Sequence, residues 1–521
     1  MCILVRKGEI LLISVQFIVI VLYFALTVIV GLLAARKSKT SSDFHGTEMG
    51  LFAIVCASTG EWLGGTATSG VAEYGFLYGL SGAWYTIANG VGVMFLALCF
   101  AKLYRSLEQV TIPGVVEKFF GVKARTVSSI LLTVVMLAVG LSQMVAAGKL
   151  GQSLMGYDFA ATCIVFAIIF IVYTLAGGMR AVAATSKVHL FAMYGGIVLA
   201  MFVALQKVGG IAAFRSGIAQ VEATDGGSFF SMGSVGFSKV SSWLIASLLG
   251  ACTAQAGIQP VLAAKDIKTA KKACILTAFV VAPFGFFSAL LGMIGRVMYS
   301  QGTLLENVDS VAQGAKLALP SLMMNINPIA GGLILAAILA AILSTVSPII
   351  LAAGTMLTKD IYQRDINPNA TDKQILRVSR ITTALSGVIC CIAAILLVDA
   401  SAVLDIVYSA YSLRGAIFIV ILLGIYWDKA SEKGACFSMV CTCFAAVFWV
   451  VWKLKFGSYP IAPWFTETYA AVLVAFVTTV GFSIMFHVGH TEEDNRERTH
   501  KELDYLMEHM ECLEDAPDYL F

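Results

Sequence analysis

The sequence predicts an all-α polytopic membrane protein with about thirteen transmembrane helices, and three observations lead there. About thirteen stretches run roughly 17 residues or more with almost no charge, each closed by Lys, Arg or turn residues, and ~20 residues at 1.5 Å rise cross ~30 Å of hydrocarbon. Of the 521 residues, 59% are hydrophobic and 13% charged. Soluble domains carry about 25% charged residues, so a water-soluble fold is set aside. Basic residues also concentrate in alternate loops, the pattern expected of a chain threaded through a bilayer.

The spans fall at 11–35, 50–72, 74–101, 126–148, 159–179, 188–206, 240–264, 273–295, 326–355, 380–398, 403–427, 434–452 and 468–487. The first exceeds a signal-peptide core and lacks a clear cleavage site, so it reads as a retained helix. Arg36, Lys37, Lys39, Lys102, Arg105, Arg180, Lys265, Lys268, Lys271, Lys272, Lys359, Arg364, Lys373, Arg377, Lys429 and Lys433 mark one side; the other holds far fewer. The richer side is expected in the cytoplasm, with the N-terminus outside and the C-terminus inside. Compact loops point to a bacterial inner membrane. Residues 207–239 read as a Gly/Ser-rich outer loop, and 299–325 as a loop carrying a short surface helix. The acidic tail 491–521 carries Leu503, Leu506, Met507, Met510 and Leu513 at helical spacing, which suits an amphipathic capping helix. The 12 cysteines sit mostly in apolar runs with no CxxC, so they read as small packing residues.

A charge inside a bilayer costs at least ~2.5–3.5 kcal/mol, so a tolerated one faces a cavity or a partner. The second span supplies the clearest case, Ala57-Ser58-Thr59-Gly60-Glu61-Trp62-Leu63-Gly64-Gly65-Thr66. Paired glycines after a carboxylate and an indole weaken the helix; unwound carbonyls there can face a cation, and Trp62 offers a flat face for cation–π contact. The alternative is a glycine packing face with Glu61 paired to a neighbour. The seventh span has a second interruption, Gly250 through Gly257 to Pro260. Breaks five helices apart are what two inverted five-helix repeats produce, although an ordinary proline kink also suits this one. In the ninth span Ser344 and Thr345 follow Ala341 by a turn; two hydroxyls and a carbonyl suit sodium, while back-bonding to the helix is the plainer role.

These segments, in this order, resemble the sodium/solute symporter family over most of the chain. The most specific piece is Tyr173-Thr174-Leu175-Ala176-Gly177-Gly178-Met179-Arg180-Ala181-Val182-Ala183-Ala184-Thr185, similar to the family's signature between its fourth and fifth core helices. Leu343-Ser344-Thr345 through Tyr362 looks like the eighth core helix and its loop, and Ala263-Ala264-Lys265-Asp266 with Ala270-Lys271-Lys272 like the loop after the sixth. Trp62-Leu63-Gly64-Gly65, Gly70-Val71-Ala72-Glu73 and Gly79-Leu80 before Ala83-Trp84 are locally similar to the choline-transporter branch, but Ala254 stands where that branch has an aromatic residue.

The resemblance implies a LeuT-type fold: a 5+5 inverted repeat with one extra N-terminal and two extra C-terminal helices. The divisions would be 1–49, 50–206, 207–239, 240–427, 428–490 and 491–521. It implies Na+ as coupling ion, held by Val55 and Ser58 (Cys56 and Thr59 one register away) with Ala341, Ser344 and Thr345. The solute cavity would draw on Glu61, Trp62, Tyr85, Thr86, Asn89, Gln143 and Gln255. Two features depart or stand out. The family's Thr-Asp is here Thr185-Ser186-Lys187, which removes a carboxylate from the expected ion path. Arg414 lies near the middle of the eleventh span, with Glu61, Asp405 or a solute carboxylate as partners.

The expectation is a sodium-coupled symporter importing a small polar organic solute, with amine, ammonium or amino-acid-like solutes favoured. The rivals are proton coupling through Glu61 and a transporter-like solute sensor. An enzyme is not expected: no metal triad, nucleophile elbow or P-loop occurs, and the six histidines show no metal-ligand spacing within a span.

Overall fold

The computed structural model describes residues 2–6, 9–13, 15–36, 40, 44–45, 48–155, 157–305, 308, 310–398 and 403–486. The expected tail helix from Thr491 therefore lies outside the described residues, as does the side chain of Asp405. By length and apolarity nine described helices can cross a membrane, or ten if one bent pair counts as a single span. Shorter apolar helices at Ile18–Ala34, Leu51–Trp62 and Phe159–Val172 accompany them.

One addition to the all-α expectation precedes the helices. Strands β1 (Cys2–Arg6) and β2 (Glu9–Ile13) pair antiparallel, with Cys2 opposite Ile13 and Arg6 opposite Glu9. Their Ile and Val residues favour extended backbone. The first helix, α1 (Val15–Ala35), thus begins later than the apolar run suggested. Its Leu22, Leu26, Ile29 and Leu33 form an exposed stripe at helical spacing, a face suited only to hydrocarbon.

The second span is discontinuous. Helix α2 (Leu51–Trp62) ends at the expected break, residues 63–65 carry the turn, and a π-helical turn (Thr66–Gly70) leads into α3 (Val71–Tyr78). The break absorbs residues without ending the span, so the boundary falls at the 3-10 turn Gly79–Ala83 rather than near residue 73. Helix α4 (Trp84–Phe95) continues through a π-helical turn into α5 (Ala101–Ser106). A short α6 (Ile112–Phe120) starts where the Thr111 hydroxyl accepts from Gly114 N at 3.1 Å and Pro113 fills the first turn.

Helix α7 (Val122–Met155) and the run α8 (Phe159–Lys207) follow. Run α8 is kinked within the Tyr173–Thr185 segment: Gly178 has φ 55° and ψ −143°, open to glycine alone, and a Cβ there would lie 2.5 Å from Phe44 O. The 207–239 segment is not all loop. It holds α9 (Gly210–Asp225), whose Phe214, Gly217, Ile218 and Val221 are buried on one face; the flanking glycines had hidden that period.

The seventh span is α10 (Phe237–Gly250), a 3-10 turn (Ala251–Thr253) and α11 (Gln255–Leu262), bent by 42°. The bend lies at Ala254 (ψ 80°), ahead of Pro260. Then come α12 (Ile267–Val281), α13 (Phe284–Ser300) and the loop helix α14 (Val311–Met324). Helix α15 (Pro328–Met356) follows, then α16 (Asp372–Leu397), α17 (Val403–Tyr426), α18 (Glu432–Phe456) and α19 (Glu467–Met485). Every residue of α15 from Ile334 to Met356 is buried, so this helix forms the axis against which both broken spans rest.

Candidate solute and ion site

The end of α2 frees the carbonyls of its last turn from helical bonding. Helix α15 meets that turn so closely that a Cβ on Gly60 would overlap the carbonyl oxygen of Ser344. The Thr345 hydroxyl donates to Gly60 O and, at 3.1 Å, to Ala341 O, while the Ser344 hydroxyl donates to Ala341 O at 2.8 Å. Three of the five expected ion ligands are therefore gathered with a carbonyl outside the expected set, that of Gly60. Ser58 turns its hydroxyl to Gly257 O on α11 at 2.8 Å, joining the two broken spans, and Val55 lies buried just over a turn before Gly60.

The opened backbone beyond the break is held by Gln143 of α7. Its Oε1 accepts from Gly65 N at 2.7 Å and its Nε2 donates to Thr66 Oγ1 at 2.7 Å. Asn89 accepts from the Ser247 hydroxyl at 3.0 Å, leaving its Nδ2 without a hydrogen-bond partner among the described residues. Two more of the expected lining residues are engaged elsewhere. Thr86 donates to Ala282 O at 2.9 Å and accepts from Gly285 N at 2.9 Å, bracing the break between α12 and α13. Gln255 accepts from Ile112 N at 2.7 Å and donates to Val110 O at 3.2 Å, tying α11 to the loop before α6.

Glu61 is paired, with Arg414: Nη1 donates to Oε1 at 2.8 Å and both side chains have 0% exposure. The guanidinium carbon lies 4.0 Å from the Tyr411 ring centroid and 5.3 Å from that of Trp62. Around this pair the aromatics make a continuous patch. Tyr85 OH lies 3.3 Å from Tyr411 OH, Tyr408 packs edge-on to both Tyr85 and Tyr411, and Trp243 stacks on Tyr408 with centroids 4.8 Å apart. Tyr408, Tyr411 and Trp243 were not anticipated. The two tyrosines leave a trace in the sequence, Tyr408-x-x-Tyr411-x-x-Arg414, a spacing that puts them and Arg414 near one face of α17; Trp243, on α10, leaves none.

One end of the bundle is stitched shut. Met49 N donates to Ala263 O at 2.7 Å and Lys265 N to Met49 O at 3.2 Å, while Arg105 Nε donates to Ala264 O at 2.8 Å. His45, just ahead of this seam, reaches Thr355 Oγ1 and Ser379 Oγ, each at 3.1 Å. Burial, reinforced by the Lys359 charge, lowers its pKa from 6.5 to about 3, so the ring is neutral. A cavity of about 280 Å³ lies beside the seam, lined by His45, Glu48, Arg105, Glu108 and Gln259 among others.

The site thus joins a helix broken beside a buried carboxylate, a second broken helix facing it, and a hydroxyl pair on a buried axis. Residues 44–442 match the Sodium:solute symporter family, and the chain belongs to it. The chain is 26% identical over 481 residues to an osmoregulated proline transporter of Bacillus subtilis, covering 88% of this chain and 94% of that one. It is 28% identical over 386 residues to a high affinity choline transporter of Homo sapiens, covering 71% and 66% respectively. A substrate-bound, outward-open Na+-coupled sialic acid symporter shares the fold, with TM-score 0.73 at 20% identity over 91% of this chain and 98% of that one. The family consists of transporters rather than enzymes, and membership supports sodium-coupled symport of a solute by an integral multi-pass membrane protein.

Proposed function

We propose that the protein imports a small polar organic solute, amine- or amino-acid-like, together with sodium by alternating access. Thirteen spans build it, ten of them in two inverted five-helix repeats, with the N-terminus outside and the Met49–Ala264 seam on the cytoplasmic side of a bacterial inner membrane. The observation that carries this reading is the meeting of α2 and α11 beside the Ser344–Thr345 pair, with Glu61 and Trp62 at the same break. Sodium binds first, at oxygens of α2 and of Ala341, Ser344 and Thr345, and stabilises the α2–α15 junction. Solute then binds across the two breaks, and the bundle rocks against its scaffold, each ligand biasing the state it binds more tightly. The oxygen-rich cluster suits a hard cation, and the seam supplies a gate that must part for release.

A second reading, proton coupling, is favoured by one observation: Ser186 is buried with its hydroxyl unpartnered among the described residues, and exposed Lys187 follows it where a carboxylate was expected. One experiment separates the two. Proteoliposomes loaded with potassium are given a sodium gradient, a proton gradient, or neither. Uptake that rises only with the sodium gradient is expected. Uptake equal with and without sodium rejects sodium coupling, and a rise with the proton gradient alone supports the second reading.

A further inference from the structure

A groove opens on the outer face of the bundle, where α1 and the second half of α8 meet α15. Its walls include Leu22 and Leu26 of α1, Phe191, Gly195 and Leu199 of α8, and Leu333 of α15, all but Leu199 exposed. It holds about 570 Å³, several times the ~150 Å³ of a core cavity that takes up benzene. The one hydroxyl in the lining, that of Tyr23, is engaged with His189 Nδ1 at 2.6 Å, so the groove offers a ligand hydrocarbon contact. Gly195 marks the space as kept open. Glycine weakens a helix interior, and its neighbour Gly196 is explained by packing, since a Cβ there would overlap that of Ala337. A Cβ on Gly195 would meet no atom within 4 Å, so nothing in the protein itself calls for glycine there. One end of the groove is charged. Lys187, Phe191 and Gly195 recur at intervals of four, on one face of α8, and all three are exposed. Lys187 stands just before the expected span 188–206, with its ammonium 5.9 Å from the Phe52 ring centroid, and Phe52 lies against Phe191. It has no carboxylate partner among the described residues.

We infer that the groove binds one acyl chain of an anionic phospholipid, whose phosphate sits on Lys187. This goes beyond the transport reading and holds whichever ion and solute are carried. From Lys187 to Leu199 the helix rises about 18 Å, close to the ~15 Å of hydrocarbon in one leaflet. A chain anchored at the lysine therefore reaches the far end of the groove. A lysine at the border extends its ammonium toward headgroups while its methylenes cover apolar surface, and a basic group beside a crevice between helices favours an anionic head. A zwitterionic lipid would bring a cation of its own to the lysine. A sterol would fill the apolar walls but leave the ammonium without a counter-ion.

The test uses the purified full chain, stripped of lipid in detergent, with phosphatidylglycerol or phosphatidylcholine carrying the same chains. Native mass spectrometry reads the lipid retained, and a diazirine in mid-chain maps where it lies. Wild type is expected to hold phosphatidylglycerol about fivefold more tightly than phosphatidylcholine, the contribution of one lysine beside an anionic headgroup. The label is expected on 19–26, 191–199 or 333–337. Lys187→Gln should bring the two lipids level, and Gly195→Phe, which fills the groove, should weaken both severalfold. If the phenylalanine variant does not fold, the label and Lys187→Gln decide, since Lys187 is exposed. Equal retention of the two lipids by wild type, a label confined to other helices, or a preference that survives Lys187→Gln overturns the inference. So does a dimer that Gly195→Phe dissociates with no change in bound lipid, which would make the groove a contact between two copies of the chain.

Discussion

Arg414 and Glu61 show how much rests on single residues in a bilayer. Removing one member of a buried pair strands the other, which costs about 3–5 kcal/mol, whereas replacing both with apolar or neutral groups is far milder. Arg414→Met should therefore lower the melting temperature sharply, and Glu61→Gln with Arg414→Met should recover most of the loss. A double variant as unstable as the single one would mean that the loss does not come from a stranded charge. Both charges stand out in the sequence, because ionisable residues are rare inside apolar runs. Their partnership does not, since 353 residues separate them and nothing in either segment names the other. Glu61 was left between cavity and partner, and Arg414 among three partners. The reverse holds for Gln255 and Thr86: both are polar residues in spans, and only the packing of 110–112 and 282–285 reveals that their hydrogen bonds are used locally.

At the scale of elements, the breaks were the legible part. Glycines beside a carboxylate announce lost helical bonding, and α2 parts at its glycine pair, while the α10–α11 span parts at Ala254, between Gly250 and Gly257 and ahead of Pro260. The length of the second span was not legible, because the unwound residues do not end it. Helix α9 escaped because its four buried residues lie between glycines that read as loop. The segment before α2 is held by His45, and its neutral ring makes that anchor sensitive to acid. The folded pKa of about 3 lies below the unfolded 6.5. Below about pH 6.5 the unfolded chain binds a proton that the folded one refuses, and stability falls by about 1.4 kcal/mol per pH unit down to the folded pKa. Melting temperature should thus be level above pH 7 and decline between pH 6.5 and 4.5, and His45→Asn should flatten the decline. An unchanged slope in that variant would rule out His45 as its source.

For the whole molecule, the run of apolar segments and the family resemblance gave the class of fold before any coordinates, since bilayer thickness leaves few ways to arrange helices. Which helix becomes the axis was not readable. Helix α15 lies in the most apolar of the nine long described spans, but apolarity alone does not tell a lipid-facing helix from a protein-enclosed one, and only assembly shows it buried from Ile334 to Met356. The coupling ion turns on the same global arrangement. If sodium leaves past Ser186, Ser186→Asp should raise apparent sodium affinity on the order of tenfold, the equivalent of ~1.4 kcal/mol. Sodium titration of uptake checks this, and no change would place the route elsewhere.

The seam at Met49 also bears on how the chain is made. Its partners, Ala263 and Lys265, emerge from the ribosome roughly two hundred residues later, about 10–40 s at 5–20 residues per second. Thr355 and Ser379, which hold His45, arrive later still. Through that interval the lead-in to the first broken helix has Gly178 to rest on through Phe44 but none of the partners that close the seam, so this end can be completed only when the second half arrives.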